Sequence, residues 1–167
     1  DKEPIGLLVK LFFGGVFSCV LTLVITFILA IFMPTLLMDE AQMDLVTLFF
    51  HVFFGIALVE EGCKWIFVYK IGFNNIEFDQ AYDMIVYAVF VALGFACFEN
   101  IFYVFDGGVG TAVIRGILAV PGHACDGVFM GYYLSLAKIA SINGNSLLLK
   151  KNMRFSVFIP VLLHGFY

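Results

Sequence analysis

Glu60, Glu61 and Lys64 fall within one turn of helix in Leu58-Val59-Glu60-Glu61-Gly62-Cys63-Lys64-Trp65, inside a run that is otherwise apolar. At mid-membrane each such charge costs about 2.5–3.5 kcal/mol, so three together point to a site rather than to chance. On a helix Lys64 can reach Glu61 three residues back or Glu60 four residues back. The two glutamates point about 100° apart, so they cannot meet one reacting atom in the same way. Lys64 is expected to take one, leaving the other, with Glu61 favoured, as a general base on water. The plainer alternative is a structural ion pair near the end of a span.

Glu99 lies in Gly94-Phe95-Ala96-Cys97-Phe98-Glu99-Asn100, with no cation within one turn, so its partner must come from another helix. Asn100 could donate to a carboxylate or a substrate carbonyl. Further on come Arg115, Pro121, His123, Asp126 and Gly127; Asp126 is three residues after His123 and could orient its imidazole. Arg115 sits near the outer end and could merely reach the interface. His164-Gly165 stands in the last apolar run, and His51 reads as structural. Glu61 (or Glu60), Glu99, His123 and His164 supply enough nitrogen and oxygen ligands for a divalent ion such as zinc. No His-Glu-x-x-His pair, phosphate loop, Gly-x-Ser-x-Gly elbow or Ser/Lys dyad occurs.

These residues need helices to hold them. Of 167 residues, 62% are hydrophobic and 13% charged, far from the half-apolar, quarter-charged balance of a soluble domain. An all-α polytopic transmembrane bundle follows, forming one domain over 1–167. Leu11 to Met33 carries no charge in 23 residues, about 34 Å of helix at ~1.5 Å per residue, and reads as a retained span. Spans are expected near 45–71, 84–105 and 111–140, the last kinked at Pro121, with a fifth run at 155–167 that is incomplete. Asp106 to Gly110 and Asn143 to Asn145 read as turns, and Gly72 to Asp83 as a surface loop. Gly14 and Ser18 form a small-xxx-small notch. His123, Gly127 and Gly131 share a face that another helix could approach closely.

Lys2, Lys10, Lys64, Lys70, Lys138, Lys150, Lys151 and Arg154 fall on one side and the acidic 38–44 loop on the other, which places the N-terminus in the cytoplasm. No basic patch interleaved with aromatics exists for nucleic acid. Cys19, Cys63, Cys97 and Cys125 lie in apolar stretches without disulfide-framework spacing. The chain starts at Asp1 and stops within an apolar run at Tyr167, as a piece of a longer protein would.

With these residues in place, the sequence resembles the PrsW family of intramembrane proteases, distant relatives of the CAAX prenyl proteases. The matching pieces are Glu60-Glu61-x-x-Lys64, Phe95-x-x-x-Glu99-Asn100, Arg115 with Pro121-x-His123-x-x-x-Gly127, and His164-Gly165. They cover the chain from Glu60 onward and leave the first span, 11–33, outside the motif-bearing core. The resemblance implies cleavage of single-pass membrane proteins, typically anti-sigma factors, in regulated intramembrane proteolysis in bacteria. It implies a catalytic set of Glu60, Glu61, Glu99, His123 and His164. Family members are often classed as metalloproteases, whereas the prenyl-protease relatives look like glutamate-activated-water enzymes; both routes stay open here. Members tend to carry a further acid past the last His-Gly, which would lie beyond Tyr167.

The reading is therefore peptide-bond hydrolysis in the bundle. Glu61 or Glu60 is the base, Glu99 orients the water, His123 and Asn100 meet the oxyanion, and His164 is a second donor or shuttle, with Lys64, Arg115 and Asp126 supporting. A proton- or ion-coupled transporter and a non-catalytic membrane scaffold are the alternatives; the first predicts flux and helix repeats, the second tolerance to conservative substitution. One tension stands: Glu61 lies about 24 Å from the outer end of its span and Glu99 about 10 Å, at ~1.5 Å per residue.

Overall fold

A computed structural model describes residues 2–167, the side chain of Asp106 excepted, and every element is helical. Helix α1 spans Ile5–Phe32 and stops at Met33, where Pro34 opens a single 3₁₀ turn, Pro34–Leu37. Its buried residues Leu7, Leu11, Gly15, Ser18 and Thr22 recur at three- and four-residue spacing, a single stripe facing the bundle. The opposite face exposes Phe13, Phe17 and Phe27, as a lipid-facing surface does.

Asp44 starts the next span by accepting the backbone N–H groups of Val46 and Thr47, each at 3.0 Å, on Oδ1. Helix α2, Leu45–Phe50, then passes into π-helical winding over His51–Ala57, returns to α-helix in α3, Leu58–Val68, and winds as π again over Tyr69–Phe73. Helix α4 covers Asp83–Ile117 but is broken at Gly108, whose φ of 75° suits glycine alone. Leu118 separates it from α5, Ala119–Ile142, which puts Pro121 in a first turn where its missing N–H costs nothing. Gly144, at φ 67°, turns the chain into α6, Ser146–Phe166, capped by Asn145. Four stretches are long and apolar enough to cross a membrane: Ile5–Phe32, Leu45–Phe73, Asp83–Phe105 and Gly107–Ile142. The expected fifth run is the second half of α6, whose first half carries Lys150, Lys151 and Arg154.

Helix α4 lies between α1 and α5, and α6 packs on α5, α3 and the π-wound segment. Close approach depends on glycine. A Cβ on Gly15 would strike the Val91 carbonyl, and one on Gly94 the Phe12 carbonyl, so the α1–α4 crossing is backbone against backbone. The expected notch residue Gly14 meets Ile71 instead. Gly131 lies against Ile85 and Gly165 against the Phe53 ring. The apolar core gathers at one end, from Leu11, Val68, Met84, Tyr87, Val91 and Leu134. Glu60, Glu61, Lys64 and Glu99 lie beyond it.

Candidate active site

The break at Gly108 builds one half of the site. On an unbroken helix Glu99 and Arg115 would stand about 24 Å apart at ~1.5 Å per residue. Here the chain folds back, Asn100 Nδ2 donates to the Ala112 carbonyl at 3.4 Å, and an Arg115 guanidinium N–H donates to Glu99 Oε2 at 2.7 Å. Arg115 also lies over the Tyr103 ring, 3.4 Å from its centroid. Rather than merely reaching the interface, Arg115 is thus the main cation on Glu99. The Asn100 amide N–H is spent on the fold-back, and Asn100 does not line the cavity that His123 borders.

The other half hangs on Lys64, which is 1% exposed. Its ammonium donates to Glu61 Oε1 at 2.7 Å and to His123 Nδ1 at 2.9 Å, and lies 4.1 Å from the Phe95 ring centroid. Because an ammonium only donates, His123 Nδ1 must accept, and the proton sits on Nε2. That N–H points at Glu99 Oε2, 3.1 Å away. His164 Nδ1 faces Glu61 Oε1 at 2.8 Å, which leaves its Nε2 3.8 Å from Glu60 Oε2. An unbroken run of polar contacts therefore joins Arg115, Glu99, His123, Lys64, Glu61 and His164, drawn from α4, α5, α3 and α6.

Lys64 takes Glu61 and lies 3.8 Å from Glu60, so the geometry reverses the expected division: Glu61 is tied and Glu60 is the freer carboxylate. Glu60 Oε2 has no hydrogen-bond partner, and Glu60 lines a cavity of about 120 Å³ with Glu99, Arg115, His123, Asp126 and His164. No hydrogen bond joins Asp126 to His123; Asp126 Oδ2 lies 3.7 Å from His164 Nδ1 on α6. His51 is buried, 3.7 Å from Glu40. Tyr103 and Tyr167 also line the cavity and were not singled out in the sequence; the available signal for Tyr103 was its place one turn after Glu99. The depth tension eases because helical structure continues past Phe105 and the span carrying Glu61 changes its winding at His51.

Two sets of side chains bring ligand atoms within 4.8 Å of one another: Glu61, His123, Asp126 and His164, and separately Glu60, Glu99 and His123. In the first, the Lys64 ammonium already stands between Glu61 and His123, where a cation would go. The second is a mixed nitrogen and oxygen set of the kind zinc accepts, with an unpartnered carboxylate oxygen on Glu60; His123 would join it through Nε2 only in the tautomer protonated at Nδ1, with the Lys64 ammonium turned from Nδ1 to the carboxylates. Charge favours this too, since Glu60, Glu61, Glu99 and Asp126 face only Lys64 and Arg115 as permanent cations. The four ligands expected from sequence divide between the two sets.

Comparison with known proteins places this arrangement. The sequence model described as PrsW family intramembrane metalloprotease matches residues 3–167. A protein named Protease PrsW from Oceanobacillus iheyensis is 38% identical over 165 residues, covering 99% of this chain and 70% of the relative. Proteins of the same name from Bacillus subtilis and Clostridioides difficile are 35% and 32% identical, over 70% and 67% of their own lengths. No solved structure matches. The matched region takes in α1, which carries none of the motifs, along with every charged residue of the buried network. On that match the chain belongs to the PrsW family of intramembrane metalloproteases.

Proposed function

We propose that this chain hydrolyses a peptide bond of a single-pass membrane protein, such as an anti-sigma factor, at the cavity bordered by Glu60, Glu99, His123 and His164. The observation that carries the reading is Glu60, which lines that cavity and whose buried Oε2 has no hydrogen-bond partner. A buried carboxylate oxygen without a donor is costly to leave, and a water that supplies the missing donor is a water poised to lose a proton. Glu60 takes that proton as the water oxygen attacks the carbonyl carbon. Glu61 holds His164 by Nδ1, so that Nε2 faces Glu60 and can pass the proton to the departing amine nitrogen. The Nε2–H of His123 and the free N–H groups of Arg115 are the donors nearest the developing oxyanion. Glu99 orients both, and Lys64 fixes Glu61 and His123 together.

Glu60, Glu99 and His123 are the residues that would hold a divalent ion, which when bound would lower the pKa of water and polarise the carbonyl. The N-terminus is taken to face the cytoplasm, with the lysine-rich ends. Purified full chain and a membrane-anchored reporter decide the matter. Glu60→Gln and Glu99→Gln should each lower cleavage by about 10²–10⁴-fold, the first with the melting temperature retained and the second with a lower one, because Arg115 loses its carboxylate. Wild-type rates in both variants would remove the site from the chemistry.

A further inference from the structure

The Glu60–Glu99 pair is reached from two sides. The cavity already described lies toward α5 and α6. A second, of about 350 Å³, lies between α1, the π-wound segment and α4, and has Glu60 and Glu99 at its inner end. Its walls are mostly apolar, including Leu23, Leu36, Ile56 and Phe102.

Thr22, Thr26, His51, Glu60, Glu99 and Tyr103 break that pattern, and three of them stand out. Thr22 Oγ1, His51 Nδ1 and Glu60 Oε2 all belong to residues lining this cavity, and all three lack a hydrogen-bond partner. The residues are 7%, 9% and 8% exposed, so their polar atoms are set among protein groups rather than in open solvent. Unpartnered buried polar atoms cost stability, and three around one cavity mark a surface awaiting a ligand with both donors and acceptors along its length. His51 and Glu60 are nine residues apart, about 13 Å on a helix at ~1.5 Å per residue. An extended polypeptide covers that distance in about four residues at ~3.3 Å each and offers an N–H and a C=O at every step. A lipid acyl chain offers neither.

Beyond His51 lies a third cavity, of about 290 Å³, lined by Met33, Thr47 and Phe50, which shares Leu36, His51 and Gly55 with the second. At this waist Leu36 rests on Gly55, so closely that a Cβ there would strike it. Leu36 is carried on the short 3₁₀ turn Pro34–Leu37 rather than on a long helix.

We propose that the cavity between α1 and His51–Ala57 is the substrate groove. An unwound stretch of a membrane-anchored protein lies in it in extended form. Thr22 and His51 hydrogen-bond its backbone, and the Leu36–Gly55 waist admits small side chains before the scissile bond reaches Glu60. This rests on the hydrolytic reading above but assigns residues that reading does not use.

The test uses the full chain and a pool of single-pass transmembrane segments tagged at both ends. In a Glu61→Gln background, benzophenone side chains placed at Leu23 or Leu36 should capture tagged segments. The same group at lipid-facing Phe17 should not. With Glu61 intact, Leu36→Ala should shift the cleaved pool toward bulkier side chains, and Thr22→Val should lower cleavage by about tenfold. Equal capture at Phe17 and both groove positions, capture of lipid alone, or an unchanged side-chain preference in Leu36→Ala would overturn the proposal. Cleavage by the parent chain without groove capture removes the groove and leaves hydrolysis standing. Groove capture without any cleavage supports the groove and removes the hydrolytic reading.

Discussion

Lys64 is held by Glu61 and His123 and by the face of Phe95, with Glu60 a little farther off. Removing one member of a buried ion pair strands the other charge, at a cost of about 3–5 kcal/mol. Lys64→Met is therefore expected to lower unfolding stability by about 3 kcal/mol or more, measured by denaturant or thermal melts in detergent. Lys64→Met combined with Glu61→Gln should recover part of that loss, because no lone carboxylate remains. Strictly additive losses would show that Lys64 and Glu61 do not couple. The same geometry separates the two glutamates by role. Glu60→Asp withdraws an unpartnered oxygen from the cavity and should lower turnover with little change in melting temperature, whereas Glu61→Ala should lower both. These roles were not legible in the sequence. Spacing lets Lys64 reach either carboxylate, and only the approach of α5 and α6 decides that His123 and His164 meet Lys64 and Glu61.

At the scale of elements, three glycines make opposite predictions. Gly94→Ala drives a methyl into the Phe12 carbonyl and should cost about 1–3 kcal/mol as α1 is pushed from α4. Gly62→Ala meets nothing within 4 Å and should be neutral or slightly stabilising. Gly108→Ala has space but the wrong φ; it should cost about 1 kcal/mol or more and loosen Arg115 from Glu99, so turnover should fall more than stability. Equal turnover in Gly108→Ala and Gly110→Ala would disconnect the break from the site. The helix start at Asp44 carries a pH signature. The Thr47 hydroxyl, then the backbone N–H groups of Thr47 and Val46, hold the Asp44 carboxyl below its ordinary value. Its contribution is thus complete above the unfolded value of about 3.9 and is lost as pH falls through the lower folded one. The melting difference between wild type and Asp44→Ala should be full at neutral pH and shrink toward zero in acid. The long apolar runs and the charges within them could be read from composition. The break within Asp106–Gly110 was legible from its glycines as a turn; that Gly108 takes the positive φ was not, because Gly107, Gly108 and Gly110 all permit it and nothing local chooses among them. The π winding at His51–Ala57 likewise has no local signal in the sequence; within it Phe53 packs on Gly165, far away along the chain.

For the whole molecule, the apolar core occupies one end of the bundle and the polar network sits beyond it, with Lys2, Lys10, Lys70, Lys138, Lys150 and Lys151 gathered at the core end. If that end faces the cytoplasm, a cysteine introduced at Lys2 is protected from an impermeant thiol reagent in intact cells while one at Asp39 is labelled. The opposite pattern would reverse the topology. Metal content of the purified chain, with cleavage measured before and after a chelator, separates an ion held by Glu60, Glu99 and His123 from a carboxylate acting alone. The way the charges are paired also bears on how the protein is made. Glu61 meets Lys64 on the same helix, and Glu99 meets Arg115 within one hairpin closed at Gly108. Each unit leaving the ribosome can therefore enter the lipid with a counter-ion already at hand. His123 and His164, which carry no obligatory charge, and Asp126 have to find their partners after the helices have assembled.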